Sequence, residues 1–311
     1  MSSQTNNAKA ALVMVGAMAA FTINDSIMKG VLAHLPLFQA IFLRGLVNVV
    51  MVFAVVLPLM GRVKFDLSRR DWALVIGRSI CETGGAFTFL YAVANMRFAN
   101  AVAIEQMAPL TIAIAGFLVF RDPLGWRRTI AVAFGFVGAL LIIKPGTGAF
   151  SIYSLWALSA VVFITLRDAC VRAMSPNVPT ATVTLFAVLF VTAGAGVASL
   201  SAEWVPVTWP VAGLIFAAAA LLIVGYALSV VVVRMADMTF TAPYRYTSLV
   251  WALVLGFVFF GEWPDIWSLA GAAIIAATGL FTVLREAQLA RRRGRADRAL
   301  RPQDRVISPR G

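Results

Sequence analysis

The feature that most constrains this chain is a series of ten apolar stretches separated by short polar segments. A helix needs about 20 apolar residues to cross the hydrocarbon of a bilayer, and charged residues make up only 13% of the chain, about half of what a globular protein carries. The sequence therefore predicts an all-α polytopic membrane protein with ten transmembrane helices. The predicted spans are 10–29, 37–58, 72–95, 100–120, 129–144, 152–172, 180–200, 210–233, 241–261 and 266–284.

The loop charges predict the orientation of these spans. Lysines and arginines concentrate in 59–71, in 121–128 and in the C-terminal tail 285–311, where nine arginines face three acidic residues. The positive-inside rule then places both termini in the cytoplasm, with the chain in the inner membrane. The short lead 1–9 is expected to be cytoplasmic. The basic tail is interpreted as a solvated, disordered segment in preference to a nucleic-acid or anionic-lipid patch.

Several function classes lack the residues that they require. Two cysteines, Cys81 and Cys170, and one histidine, His34, offer neither a disulfide framework nor metal-ligand spacing. No Gly-x-Ser-x-Gly or phosphate-cradling pattern occurs. We therefore expect no enzymatic activity, no cofactor, no metal and no nucleic-acid partner. No segment resembles the filter of a channel, whereas a membrane assembly subunit without transport stays open.

The second half of the chain is similar to the first. "FTINDSIMK" at 21–29 aligns with "ITLRDACVR" at 164–172, and "GFLVFRDP" at 116–123 aligns with "GFVFFGEW" at 256–263. Because each half holds five spans, an odd number, the second copy would cross the membrane upside down. The sequence thus predicts two inverted five-helix repeats, 10–144 and 152–284, an architecture common among secondary transporters.

Two stretches resemble the EamA-type branch of the drug/metabolite transporter superfamily. They are "MAPLTIAIAGFLVFRDPLGWRRTIAVAFGFVGALLII" at 107–143 and "LVWALVLGFVFFGEWPDIWSLAGAAIIAATGLF" at 249–281. The resemblance implies EamA-like halves around a central cavity lined mainly by spans 1, 3, 4, 6, 8 and 9. One departure concerns Pro109, since Leu249 stands at the corresponding position and Pro243 lies earlier, so the bend of span 9 is not predicted.

Charged residues inside the spans are the candidates for the site. A charge at the bilayer centre costs roughly 2.5–3.5 kcal/mol, so each should face a polar cavity or an ionic partner. The four acidic and four basic side chains balance, which fits mutual pairing or a site for a zwitterion. These residues are Asp25, Arg44, Arg78, Glu82, Glu105, Arg167, Asp168 and Arg245.

Two matched pairs carry the first hypothesis about this set. Asp25 with Lys29, and Asp168 with Arg172, are spaced i, i+4 with the acid first, the favourable order on a helix. In the predicted topology they lie near opposite mouths of the bundle. For the two acids we expect gating or interhelical pairing, whereas for the two bases the favoured interpretation is that they extend to the membrane interface.

The remaining candidates lie on spans 2, 3, 4 and 9. Arg78 and Glu82 form either a cavity wall or an internal pair, and Arg44 either lines the cavity or holds span 2 to its neighbours. Glu105 aligns with Arg245, so a cavity could hold an acid and an arginine; a salt bridge between the halves is the open alternative. The neighbouring candidates are Gln106, Tyr244 and Tyr246.

The sequence therefore predicts a secondary carrier that moves a small amphipathic or zwitterionic metabolite by alternating access. A larger aromatic cargo such as a flavin-like vitamin is the alternative. Protons or a counter-substrate could supply the energy, and the carrier could act as a monomer or homodimer. Beyond the solute, the lipid bilayer is its expected partner.

Overall fold

The computed structural model describes residues 2–56, 63–121, 126–145, 151–235 and 241–299. These residues form helices and contain no strand, as the sequence predicts. The helices are α1 Ser2–Leu32, α2 Leu37–Met51, α3 Arg69–Asn95, α4 Phe98–Glu105, α5 Ala108–Phe120, α6 Trp126–Ile143, α7 Tyr153–Ala173, α8 Thr180–Ser199, α9 Trp209–Met235, α10 Thr247–Phe260 and α11 Ile266–Ala299. A π-helical turn, Val52–Val56, extends α2, and a 3-10 helix, Ala242–Tyr246, precedes α10.

Each predicted span is largely helical over its described residues. Within the described ranges, seven helical segments are long and apolar enough to cross a membrane, and Thr129–Ile143 and Ile266–Thr282 are shorter apolar helices. The predicted third span is missing from both groups. It corresponds to α3, whose charged residues Asp71, Arg78 and Glu82 lower its hydropathy, and below we show what these charges contact.

The fourth and ninth spans are each broken into two helices. The fourth stops being α-helical after Glu105 and resumes at Ala108, with Pro109 in the new first turn. The ninth begins as the 3-10 helix Ala242–Tyr246, with Pro243 in its first turn, and becomes α-helical at Thr247. A proline has no N–H to donate, so it is tolerated where a helix starts. The two breaks fall at aligned positions although the prolines do not.

The main helix contacts join the two halves of the chain. The most extensive are α1 with α9, α3 with α7, α6 with α11 and α2 with α8. Small residues allow two of these approaches: a Cβ on Gly225 of α9 would lie 2.7 Å from the ring of Phe21, and one on Gly84 of α3 would lie 2.6 Å from the ring of Phe163. Helices that pack in lipid use such small residues for close approach.

The contact between α6 and α11 depends on glycine on both sides. A Cβ on Gly138 would lie 2.8 Å from the carbonyl oxygen of Gly271, and a Cβ on Gly271 would collide with the carbonyl oxygen of Gly138. Because both obstacles are backbone atoms, neither can rotate away. The two helices can therefore approach this closely only while both positions remain glycine.

We expect Gly271→Ala to lower the thermal unfolding midpoint of the purified protein, because the added methyl group forces α11 away from α6. Such overpacking costs about 1–3 kcal/mol. Gly213→Ala in α9 is the matched control, since nothing lies within 4 Å of the methyl group it would add. The explanation fails if the two variants unfold at the same temperature.

The outer surface of the bundle is apolar along most of its helices. Large side chains such as Leu118, Phe134, Trp209, Val258 and Phe259 are more than half exposed. Polar side chains such as Asn24, Gln39 and Thr182 are instead buried between helices. An apolar exterior around a partly polar interior is the arrangement that a bilayer stabilises.

Both ends of the described chain differ from the sequence predictions. The first helix already begins at Ser2, within the predicted lead 1–9. The last helix runs to Ala299, well beyond the predicted end of span 10 at residue 284. The tail predicted to be disordered thus starts as a continuation of α11, and residues 300–311 lie outside the described residues.

Candidate functional site

A group of four charged side chains joins α3 to α7. Glu82 Oε2 lies 3.4 Å from Arg78 Nη2 on its own helix and 3.4 Å from Arg167 Nη1 on α7. The Nε of Arg167 also donates to Asp168 Oδ1 over 2.9 Å. We call these residues, Arg78, Glu82, Arg167 and Asp168, the Glu82 cluster. Arg78 and Glu82 are thus in contact, as in one of the two alternatives left open by the sequence, but Glu82 is shared with a second arginine.

The Glu82 cluster is not sealed inside the bundle. The side chain of Asp168 is 36% exposed, and Arg245, whose charge acts on Asp168 and Arg167, is exposed as well. In contrast, Arg78 is 14% exposed and its Nε and Nη1 have no hydrogen-bond partner. The cluster therefore extends from buried arginine atoms to a side that is open to the exterior of the fold.

A second polar group lies between α1 and α2. Arg44 is 6% exposed, and its Nη1 donates to Asn24 Oδ1 over 3.3 Å. The amide nitrogen of Asn24 in turn donates to Asp25 Oδ1 over 2.8 Å. Asn48, one turn after Arg44, is buried and its Oδ1 has no partner. Arg44 is therefore linked to α1 through an amide bridge.

The broken helices meet at a third polar group. The amide nitrogen of Gln106, at the break of the fourth span, donates to the carbonyl oxygen of Arg245 over 3.0 Å and to the hydroxyl of Ser248. Glu105 and Arg245 act on each other electrostatically, but no ion pair joins these two described side chains. The alternative of a salt bridge between them is thus absent from this conformation.

The tyrosines differ in their surroundings. Tyr246 packs so closely on Gly279 that a Cβ there would overlap its hydroxyl, which is buried without a hydrogen-bond partner. Tyr244 packs against the apolar group around Met14 and Met18. Tyr226 of α9 had no role in the sequence interpretation, yet Glu82, Arg167, Arg78 and Arg44 all act on it. The structure thus brings a tyrosine of the eighth span to the buried charges.

Lys29 closes one end of the bundle. Its Nζ lies 2.9 Å from Glu262 Oε1 and donates to the carbonyl oxygens of Val93 and Met96 at 3.0 and 2.6 Å. It also lies 5.3 Å from the centre of the Phe260 ring. The predicted pairing of Lys29 with Asp25 is therefore wrong, as is the idea that Lys29 extends to the interface, because its side chain is only 10% exposed.

Two further cations lie at the same end. Asp265 lies 2.7 Å from Lys144 Nζ and 3.4 Å from Arg97 Nη1. Partial burial would raise the pKa of Asp265, but the hydrogen bonds from Lys144 and Ser268 outweigh it and lower the pKa to about 2. The backbone N–H of Phe98 donates to Glu262 over 2.6 Å. We call this end, with Lys29, Glu262 and Asp265, the Lys29 mouth.

Arg172 lies at the opposite end. Its guanidinium carbon lies 4.2 Å from the centre of the Phe120 ring. Three residues later, Ser175 donates its N–H and its hydroxyl to the carboxylate of Asp71, each over 3.0 Å. Asp71 and Val93 lie about 33 Å apart along α3, at 1.5 Å per residue. We call this end, with Arg172 and Phe120, the Arg172 mouth.

The predicted pair of Asp168 with Arg172 is also not formed as proposed. Asp168 accepts its hydrogen bond from the neighbouring Arg167, and the position aligned with Glu262 is Asp122, which lies outside the described residues. Local helix spacing therefore identified residues at both mouths but assigned Lys29 and Asp168 to the wrong partners.

An apolar groove of about 400 Å³ lies between α6 and α11, away from all these charges. Trp126, Ile130, Phe134 and Phe281 line much of it. Its walls face the exterior of the bundle, where lipid chains would cover them, so we do not regard it as the solute site. Among the described residues, no group of three or more His, Cys, Asp or Glu side chains could hold a metal ion.

The chain is similar to several bacterial transporters. The chain is 25% identical over 274 residues to the pseudopaline exporter CntI of Pseudomonas aeruginosa, covering 85% of this chain and 92% of the relative. It is 26% identical over 208 residues to an S-adenosylmethionine uptake transporter of Rickettsia bellii, covering 65% and 69%. The apolar helices define a multi-pass membrane protein, and these relatives are transporters.

A family model matches the first half of the chain. Residues 8–144 match the EamA-like transporter family, in agreement with the resemblance found in the sequence. A riboflavin transporter of Vibrio cholerae is 24% identical over 295 residues, covering 94% of this chain and 98% of the relative. A protein of known crystal structure shares the fold with a TM-score of 0.61 at 20% identity, covering 92% and 98%.

Proposed function

We propose that the chain is a secondary carrier, in which two inverted five-helix halves expose one central solute site to each side of the membrane in turn. The observation that carries this proposal is the pair of mouths at the two ends of α3. Each mouth sets a cation of one half beside a phenylalanine of the other half, Lys29 beside Phe260 and Arg172 beside Phe120. The buried charges lie between the two mouths.

A second pair of contacts supports the two-fold relation between the halves. The side chain of Gln39, at the start of α2, donates to the carbonyl of Val205 at 2.7 Å and accepts its N–H at 3.0 Å. The hydroxyl of Thr182, at the start of α8, accepts the N–H of Lys64 at 3.0 Å and donates to its carbonyl at 3.2 Å. In each half, a side chain at the start of a helix thus forms two hydrogen bonds with the backbone of one loop residue of the other half.

The helix contacts follow the same relation. Phe21 of α1 packs on Gly225 of α9, as Phe163 of α7 packs on Gly84 of α3. The breaks at Gln106 and Tyr246 also correspond, and broken helices at the interface of two repeats commonly form the solute site of transporters. We therefore place the site beside Gln106 and Arg245, next to the Glu82 cluster.

The charges support a small amphipathic or zwitterionic metabolite as cargo. The Glu82 cluster has two acids and two bases, and Glu105 and Arg245 add one of each. A larger aromatic solute is the second candidate, favoured by the similarity to a riboflavin transporter along nearly the whole chain. We further propose an inner-membrane location with both termini in the cytoplasm, and coupling to protons through Asp25, Glu105 or Asp168, or to a counter-substrate.

Counterflow in proteoliposomes tests the proposal. Vesicles loaded with a high concentration of unlabelled solute should accumulate the labelled solute transiently and with saturation, because a carrier exchanges one bound molecule for another. S-adenosylmethionine and riboflavin are the first solutes to assay, followed by amino acids. Uptake that never saturates would indicate a channel, and no uptake of any metabolite in a broad screen would favour an assembly subunit.

A further inference from the structure

Arg44 is a buried cation without an ionic partner among the described residues. It is 6% exposed, and no carboxylate oxygen lies within salt-bridge distance of it among the described residues. Its Nη1 donates a hydrogen bond to an amide oxygen, that of Asn24, and its Nε has no partner among the described residues. Because a guanidinium stays charged in proteins, burial without an anion is costly, and such a group is suited to bind an anion supplied from outside.

The nearest acidic group is held by the same amide. Asn24 receives a hydrogen bond from Arg44 and donates one to Asp25, so the charge of Asp25 acts on Arg44 without contact. This arrangement leaves the Nε of Arg44 without a partner and keeps the carboxyl group of Asp25 close by.

Asn48 supplies a complementary acceptor. It lies four residues after Arg44 and therefore on the same face of α2, and its buried Oδ1 has no hydrogen-bond partner. An ammonium group needs acceptors, which Asn48 and Asp25 provide, and a carboxylate needs donors, which the planar fork of Arg44 provides in pairs.

We propose that Arg44, Asn48 and Asp25 bind the α-amino-carboxylate end of the transported solute. This proposal rests on the carrier function proposed above and narrows its substrate to compounds with an amino-acid head. The carboxylate binds to Arg44, the ammonium binds to Asn48 and Asp25, and the rest of the solute extends towards Tyr226, whose ring packs edge-on against Phe21 at 5.4 Å.

Thermal unfolding of the full-length protein in lipid nanodiscs tests this proposal. The probes are L-methionine with L-methioninamide, and S-adenosylmethionine with its decarboxylated form, so that each pair differs in the carboxylate. Riboflavin, which has no carboxylate, is the fifth probe. We expect stabilisation by at least one carboxylate compound and none by its partner. Arg44→Gln should weaken this binding by about 100-fold, whereas Arg69→Gln, at an exposed position, should leave it unchanged.

Arg44→Lys provides a second variant if Arg44→Gln does not fold, because it keeps the charge but removes the fork; it should lose most of the preference for the carboxylate. Equal stabilisation by both members of each pair, no stabilisation by any carboxylate, or an unchanged preference in either variant would overturn the proposal. If riboflavin shows saturable counterflow and the carboxylate compounds stabilise the protein no more than their partners, the carrier function is supported and this inference is contradicted. If a carboxylate compound binds through Arg44 but no solute shows counterflow, binding at Arg44 is supported and the carrier function is contradicted.

Discussion

Replacing Glu82 with glutamine is expected to reduce transport by about 100-fold and to destabilise the protein. Glu82 is the only carboxylate that contacts both Arg78 and Arg167 in the described structure, and all three side chains are less than a third exposed. Removing one partner of a buried ion pair costs about 3–5 kcal/mol, because the other charge stays buried. Here two cations would lose their partner, so α3 and α7 would separate or admit water.

Glu203→Gln is the matched control, since Glu203 lies exposed in the segment before α9. Initial rates in proteoliposomes, normalised to the folded protein recovered, separate the loss of transport from the loss of stability. A second variant, Glu82→Asp, keeps the charge and should restore part of the rate. Full transport by Glu82→Gln would show that the Glu82 cluster has no part in the solute path.

Replacing Glu262 with glutamine is expected to open the Lys29 mouth. Lys29 would keep its hydrogen bonds to Val93 and Met96 on the first half of the chain but lose its ion pair to the second half. We expect a cysteine introduced near this mouth to react at least about 10-fold faster with a water-soluble maleimide. This factor corresponds to a loss of about 1.4 kcal/mol in the free energy that favours the closed state over the open state. Transport should fall, because the state open at the Lys29 mouth would become more stable than the state open at the Arg172 mouth.

Glu203→Gln is the matched control for this variant as well, because Glu203 is exposed and forms no ion pair with the other described residues. We expect little change in the rate of labelling. Exchanging the charges, with Lys29→Glu and Glu262→Lys together, should restore closure only in part, because a carboxylate at position 29 cannot donate to the carbonyl oxygens of Val93 and Met96. If Glu203→Gln opens the mouth as much as Glu262→Gln, the assignment of closure to Lys29 is wrong.

The helices could be predicted because a transmembrane helix is a local property of the sequence. The length of each apolar stretch is sufficient to identify it, and the charges that lower the hydropathy of α3 mark it as an interior helix. The positions of the two helix breaks depend less on the local sequence. Pro109 and Pro243 indicate where a helix starts, but the break at Gln106 is also held by a hydrogen bond from its side chain to the carbonyl oxygen of Arg245 in the other half.

The sequence indicates which polar side chains lie inside the spans better than it indicates their partners. An i, i+4 rule compares residues on one helix, so it proposed Asp25 for Lys29, whereas the actual partner Glu262 comes from a loop more than 200 residues later. The repeat held a signal for it, since Glu262 aligns with Asp122 after the shared Gly-Phe step. Tyr226 carries no such signal, because one tyrosine in an apolar helix looks like packing until its neighbours are known.

Paired spin-label distances at both mouths test the central claim, that the two mouths open in alternation, most directly. One pair replaces His34 and Trp263 beside the Lys29 mouth, and the other replaces Arg121 and Asn177 beside the Arg172 mouth; all four positions are exposed, and Cys81 and Cys170 are changed to serine. In Glu262→Gln, relative to the parent protein, we expect the first distance to lengthen and the second to shorten. Distances that lengthen together, or do not change at either mouth, would contradict alternating access.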